Sequence, residues 1–377
     1  MIYYLGYYDC ECIDDEKRYA SPPAINKMSY MISALAEATI EETIVVSPSE
    51  TELRKYVKGS LHDLNENISL KTFDSFQSRW KIIRGFGYFW TKIQLFRFLK
   101  KNVKSEDTII VYHSLILMRI VKKIKKIKGC NLIIEAEEIY SDVAEDQKMR
   151  AKELKYLQIA DKYIIITELL NEQVNLKNKP KLIYHGTYKP IQKYGSKFED
   201  DKNHIVYAGT FDPTKGGVFA AVEAAQHLSE EYVLHILGKG TDKEVKSVKE
   251  KINQIQPLSK CEIVFDGYKT GREFDEFMQS CHVGLSTQQP GGKYNASSFP
   301  SKILMYMSNG IRVVSVDIPA VRTSKVGKYI NYYENQNPEE ISSAIRSINF
   351  EDHYDSRQIL DELHKDFVEQ LKKLLIG

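Results

Sequence analysis

Short strand-like runs rich in apolar residues alternate along this chain with longer stretches whose apolar residues recur every three or four positions. The runs at 2–8, 43–47, 68–73, 108–112, 131–135, 163–167 and 181–184 predict short buried strands. Helices are predicted between them at 23–38, across the aromatic segment 80–90, across the lysine-rich segment 121–128 and at 147–158. From 189 to 203 periodicity gives way to polar and charged residues with Pro190 and Gly195, which predicts a linker. The alternation then restarts, with strands at 204–208, 232–237, 262–265, 283–286 and 311–316 and helices at 217–228, 243–255 and 273–280. Short buried strands separated by helices predict parallel, doubly wound sheets, so the expected class is α/β with two domains, 1–190 and 200–352. A last helix at 355–377 places Leu360, Leu363, Phe367, Leu371 and Leu374 on one face, which must be covered.

The length of 377 residues suits two cores. No apolar run approaches the ~20 residues that span a bilayer, and the start of the chain reads as a strand rather than a signal peptide, so a cytoplasmic protein is expected. Of the five cysteines, at 10, 12, 130, 261 and 281, only Cys10 and Cys12 lie close together, which favours thiols over a zinc or redox site.

The net charge of +2 conceals an asymmetry: residues 71–128 hold fifteen Lys and Arg against three acids. Both tryptophans, Trp80 and Trp90, lie among these cations. Aromatics interleaved with cations suit contact with an anionic membrane surface through 80–128, at the inner face of the plasma membrane. The alternative is the solvated outer face of two ordinary helices. No recognition motif accompanies the charge, so nucleic acid is not expected as a partner.

In doubly wound sheets ligands bind beyond the carboxyl ends of the strands. Three loops at such ends in the second half are glycine-rich: Tyr207-Ala208-Gly209-Thr210 running on to Lys215-Gly216-Gly217, Leu237-Gly238-Lys239-Gly240, and Phe265-Asp266-Gly267-Tyr268. Lys215 stands just before a helix start, where it could reach a phosphate. The fourth stretch is Ser297-Ser298-Phe299-Pro300-Ser301-Lys302, then an apolar run to Asn309-Gly310. Ser297 or Ser298 can cap this helix and Pro300 suits its first turn, which leaves amides near Ser298, Phe299, Ser301 and Lys302 for an anion beside a lysine. Glycine turns serve shape alone in many strand-to-helix loops. Several in order ahead of this helix point to a ligand.

In this order, together with Ile311-Arg312-Val313-Val314, the motifs resemble those of the retaining, metal-independent nucleotide-sugar glycosyltransferases of GT-B architecture, family 4 or group 1, of bacterial polysaccharide-cluster type. The likeness covers the whole second half. In the first half it rests on His113 after a strand, on Glu135-Ala136-Glu137-Glu138-Ile139-Tyr140 and on Tyr184-His185-Gly186. It implies two Rossmann-like domains facing a cleft, with the last helix crossing back to the first. It further implies a nucleotide base near Gly238, Gly240, Gly267 and Tyr268, a diphosphate between Lys215 and the helix starting at Ser298, and no cofactor or metal. Gly209 and Thr210 then belong to the donor site, and the acceptor side is implied near Pro22, Pro23, Asn26 and His113.

The sequence also departs from the family. Ser297 and Met305 stand where the family usually has two glutamates, and Thr210 where many members have arginine. Lys302 or Lys293 could replace the missing charge, and Asn295, Ser298 and Ser301 could bind hydroxyls. The chemistry is departure of a nucleoside diphosphate from an anomeric carbon, so the growing phosphate charge must be stabilised. No two aspartates lie two positions apart to hold a metal, which leaves lysine and helix amides for that task. Glu138, and after it Glu137, are the candidate catalytic acids, since a carboxylate just past a strand end could orient an acceptor hydroxyl. The expected function is hexosyl transfer, EC class 2.4, from a UDP-sugar to a glycan or lipid-linked glycan in surface polysaccharide or glycoconjugate synthesis. Two alternatives stand beside it: a non-catalytic partner subunit of an active transferase, and a UDP-sugar 2-epimerase.

Overall fold

The computed structural model describes residues 1–143, 146–174, 176, 178–212, 216–289 and 299–376. Two compact units divide the chain: Met1–Thr187 with Asp366–Gly377, and Tyr188–Lys365.

The first unit begins β1 (Ile2–Leu5), α1 (Pro22–Ala38), β2 (Thr43–Val46), β3 (Tyr56–Val57), β4 (Leu61–Asp63), β5 (Ile68–Lys71), β6 (Ser75–Phe76) and α2 (Lys81–Asn102). It continues β7 (Thr108–Tyr112), α3 (Leu115–Lys128), β8 (Asn131–Ala136), α4 (Tyr140–Val143), α5 (Gln147–Leu157), β9 (Lys162–Ile165), α6 (Glu168–Val174) and β10 (Lys181–Ile183). Among the described residues eight strands form one sheet in the order β10-β9-β8-β7-β1-β2-β5-β4. Every residue of β1 is buried, and the strand pairs in parallel register with β2 and β7, as an apolar run with no polar face requires. Among the described residues of this sheet only β4 runs antiparallel, on β5 at the edge. The hydrophobic pattern does not predict it, because Leu61-His62-Asp63 is largely exposed and carries no apolar run.

In α2 the buried stripe is Gly87, Thr91, Leu95 and Leu99, spaced by four. Ahead of it residues 79–86 are exposed throughout, with Trp80 74% and Ile82 88% accessible. Helix α3 is capped by Ser114, whose side chain accepts from the Leu117 amide, and closes at Gly129 with φ 71°. Leu117, Met118, Val121 and Ile124 face the core, while Arg119, Lys122, Lys123 and Lys126 face solvent.

The second unit holds β11 (Asn203–Thr210), α7 (Gly217–Ala224), β12 (Tyr232–Lys239), α8 (Asp242–Ile255), β13 (Glu262–Gly267), α9 (Gly271–Ser280) and β14 (Val283–Ser286). After these come α10 (Ser301–Ser308), β15 (Arg312–Val316), α11 (Pro319–Arg322), β16 (Asn331–Tyr333), α12 (Pro338–Arg346) and α13 (Ser356–Ile376). Its sheet, parallel throughout the described pairings, has the order β13-β12-β11-β14-β15-β16. The predicted linker is tied to this unit. The Ile191 amide donates to Ser308 O at 2.8 Å, and the Gln279 side chain accepts from the Tyr194 amide at 2.8 Å and donates to Gln192 O at 2.9 Å.

Helix α13 is anchored at its start by Ser356, whose hydroxyl reaches the carbonyls of Met307 and Ile311 at 2.8 and 3.1 Å. Its later residues belong to the first unit. There Phe367 stacks 5.5 Å from Tyr30 and 5.0 Å from Tyr184, and Lys162 donates to the Leu374 carbonyl at 2.7 Å. Leu360, Phe367, Leu371 and Leu374 are buried and Leu363 half-buried, so the predicted face is the packed one.

The expectation of thiols fails at one place. Cys10 and Cys12 form a disulfide, since the turn into the following 3₁₀ segment brings their Cα atoms to 5.4 Å. Cys130, Cys261 and Cys281 are buried free thiols.

Candidate functional site

In the second sheet chain order reverses direction between β11 and β14, the switch point at which such sheets bind ligands. The two strands pair only at Ile205↔Val283 and Val206↔Gly284 and then part. Tyr306 of α10 fills the gap: its hydroxyl accepts from the Ala208 amide and donates to the Leu285 carbonyl, each at 3.0 Å. The ring lies flat against Gly284, where a Cβ would overlap it, so this strand position requires glycine.

Beyond the gap β11 runs in register with β12 to Gly209↔Gly238 and Thr210↔Lys239. A Cβ on Gly238 would collide with the Gly209 carbonyl, and one on Gly209 would meet the Lys302 ammonium. Lys302 enters from the first turn of α10 and lies 3.9 Å from the centre of the Tyr207 ring. Burial holds the Tyr207 phenol well above its ordinary pKa, so this ring stays neutral beneath the cation. Along the same edge Gly267 adopts φ 74°, Tyr268 is 59% exposed, and Lys239 Nζ lies 5.2 Å from the Tyr268 ring centre. Gly240 packs so closely on Glu244 and Phe211 that a Cβ would meet both within 3.1 Å.

These contacts bring Gly209, Thr210, Gly238, Gly240, Gly267, Tyr268, Ser301 and Lys302 to the carboxyl edge of one sheet. Phe299 is 7% exposed, part of the packing under that edge. Helix α10 starts later than predicted: Pro300 is its N-cap with ψ 106° and Ser301 its first residue. An N-cap has extended backbone, which proline adopts as readily as a first turn. Lys215, Lys293, Asn295, Ser297 and Ser298 lie outside the described residues.

In the first unit the carboxyl end of β8 carries the acids. Glu135 is fully buried and accepts from the hydroxyls of Tyr4 at 2.6 Å and Tyr184 at 2.5 Å. Burial raises its pKa, against the opposing pull of both tyrosines and Lys27. Glu137, 8% exposed, is ion-paired with Lys27 of α1, and its other oxygen, Oε1, has no hydrogen-bond partner among the described residues. Burial draws the Lys27 ammonium down to about 8, with Glu135 and Glu138 pulling the other way. Glu138 is half-buried.

His113, at the end of β7, is a structural neighbour of these acids. Its Nε2 lies 3.2 Å from Glu153, whose carboxylate also accepts from the amides of Tyr140 and Ser141 at 2.9 Å each. Burial works against the Glu153 charge, but the bonds from His113 and Ser141 outweigh it and lower its pKa. Glu153 thereby fixes the turn that follows Glu138. Pro22, Pro23 and Asn26 are exposed on the first turns of α1, one residue before Lys27. Lys27, Glu153 and Tyr306 went unread in the sequence; the one available signal was that Lys27 adjoins Asn26. Among the described residues no group of three or more His, Cys, Asp or Glu could hold a metal ion.

Two doubly wound units of this kind define the GT-B glycosyltransferase fold, and solved structures of that class match the whole chain. Trehalose-6-phosphate synthase OtsA is 11% identical, with TM-score 0.65, covering 100% of this chain and 98% of its own. Anabaena HepE, solved in complex with UDP, is 13% identical with TM-score 0.61 and coverage of 99% and 94%. Sucrose-phosphate synthase from Thermosynechococcus elongatus is 13% identical with TM-score 0.62 and coverage of 99% and 94%. At such identities the likeness establishes the fold alone. Residues 202–349 match the family model for glycosyl transferases group 1. No curated protein matches the chain in sequence.

Proposed function

We propose that this chain transfers a hexosyl group, with retention, from a UDP-sugar to a glycan or lipid-linked glycan in the synthesis of surface polysaccharide or glycoconjugate. The observation that carries the reading is Lys302 lying over Gly209 at the switch point of the group 1 domain, where two facing glycines, one position before the strand ends, carry no side chains. A diphosphate is the ligand class that such a cation beside a helix start suits. The Gly267–Tyr268 turn offers a ring on which a base could stack. That HepE is solved with UDP supports uridine as the base. As the sugar–phosphate bond breaks, the Lys302 charge would stabilise the departing diphosphate without a metal.

The acceptor is assigned to the first unit. Glu138 would orient its hydroxyl, and the unpartnered Oε1 of Glu137, whose Oε2 is held by Lys27, would accept a second hydroxyl. A thermal-shift panel of nucleotide sugars tests this reading. A UDP-sugar should raise the Tm, and Lys302→Ala should weaken UDP binding by roughly 10- to 100-fold, as expected for a charge-assisted contact. If no nucleotide sugar shifts the Tm and none is slowly hydrolysed, the assignment is wrong.

A second reading concerns location. The exposed start of α2, with Trp80, Ile82, Phe86 and Phe89 among Arg79, Lys81 and Arg84, is assigned to the inner face of an anionic membrane. Among the described residues no helix is long and apolar enough to cross a membrane. The segment would therefore lie on the surface, and binding to anionic vesicles tests it.

A further inference from the structure

A hydrogen-bonded chain of four titratable groups crosses three strands of the second sheet. Asp200 Oδ1 lies 2.7 Å from His204 Nε2, His204 Nδ1 lies 2.8 Å from His235 Nε2, and His235 Nδ1 lies 2.9 Å from Asp266 Oδ2. The imidazole side chains are only 5% and 7% exposed. Phe198 stacks on both, at 4.0 and 5.3 Å, and Phe277 meets His235 edge-on at 5.1 Å. The chain ends at a particular place on β13. The pairing with β12 slips there, from Ile236↔Phe265 to Leu237↔Gly267, which leaves Asp266 as the extra residue of a bulge. Gly267, at φ 74°, and Tyr268 follow it directly.

Each of the three bonds needs one proton. With both aspartates as acceptors, the two imidazoles must then share three protons between four nitrogens. With two protons one bond is lost, and with four, two N–H groups face each other across 2.8 Å. Burial lowers the His204 pKa, against the raising effect of Asp200, so the third proton enters on the acid side of the ordinary imidazole range. The surroundings stay quiet there. His282, which accepts from the His204 amide at 2.9 Å, is pushed down to about 4 by burial and Lys197. Lys197 is itself drawn down to about 8 by burial, and burial holds the Cys281 thiol protonated. The His204 bond keeps Asp200 ionised, and Lys202 and Arg312 are the remaining charges facing the pair.

We propose that Asp200, His204, His235 and Asp266 form a positioning chain for the donor nucleotide: holding three protons, it fixes the Asp266 bulge and with it Gly267 and Tyr268, so that nucleotide affinity follows its protonation. This rests on the donor reading above. UDP affinity should therefore rise as pH falls from 8 to 6. His235→Asn keeps a donor for Asp266 but cannot reach His204. The ratio of its Kd to that of the intact protein, which cancels ionisation of the UDP phosphate, should change by about tenfold over that range.

Calorimetric titration with UDP at each pH measures this ratio, and a ratio that stays flat overturns the proposal. A second arm needs neither nucleotide nor variant. In the NMR spectrum of the intact protein, the Tyr268 ring resonances should titrate with the same midpoint as those of His204. Tyr268 signals that ignore that midpoint refute the coupling. If UDP binds at no pH, the donor reading falls and the Tyr268 titration alone decides whether the chain controls the turn.

Discussion

Glu137 and Glu138 are adjacent acids to which the fold gives different surroundings. Lys27 holds Glu137 in a buried pair, whereas Glu138 is half-buried beyond the strand end. Glu138→Gln should therefore leave UDP binding within about twofold of normal and lower turnover by ~100-fold or more, the range of a lost acid–base group. Kcat and the UDP Kd, measured on the same preparation, separate the two effects, and an unchanged kcat removes Glu138 from the mechanism. What was legible at this scale were positions set by the local chain: the glycines after each strand and the lysine two residues after Pro300. The illegible ones meet partners far away in sequence. Tyr306 bonds an amide 98 positions earlier, and Glu153 of α5 pairs with a histidine just past β7. Gly284 looked like any strand residue, since the ring that makes it necessary arrives from α10.

At the scale of elements, strands with continuous apolar runs were readable because burial on both faces leaves no polar alternation. Those that escaped, β3, β4, β6 and β16, are short or lie at an edge where such a run is not needed. Helix α2 was readable as a helix but not in its packing. Its aromatic start covers no core: Trp80 is 74% and Phe86 59% exposed, and the buried stripe begins only at Gly87. Cosedimentation with vesicles containing anionic lipid should show binding that weakens with salt. Ile82→Ser with Phe86→Ser should reduce it by about tenfold or more, each lost side chain giving up ~1.5–3 kcal/mol of burial. Equal binding by the double variant and the intact protein would rule out insertion of this helix end.

At the scale of the whole molecule, the chain divides between Thr187 and Tyr188, and the join of lapsed periodicity at 189–203 follows within the second unit. The bonding of that join to Gln279 and Ser308 could not be read, since backbone groups are the same in every sequence. Helix α13 ties the far end of the chain to the first unit through Phe367, which is 1% exposed against Tyr30 and Tyr184. Phe367→Ala should destabilise the first unit by ~3–5 kcal/mol. Hydrogen exchange would show it as lost protection in β1 and β10 with β12 little changed, whereas uniform loss would argue against a local role.

The same helix bears on how the protein is made. Residues 366–376 complete a core whose other members are all translated before residue 188, with the whole of the second unit synthesised in between. A ribosome thus builds the second unit while Tyr30 and Tyr184 still wait for their covering ring. During that interval the nascent first unit exposes aromatic surface, and it is the stage of biogenesis at which chaperones have most to protect.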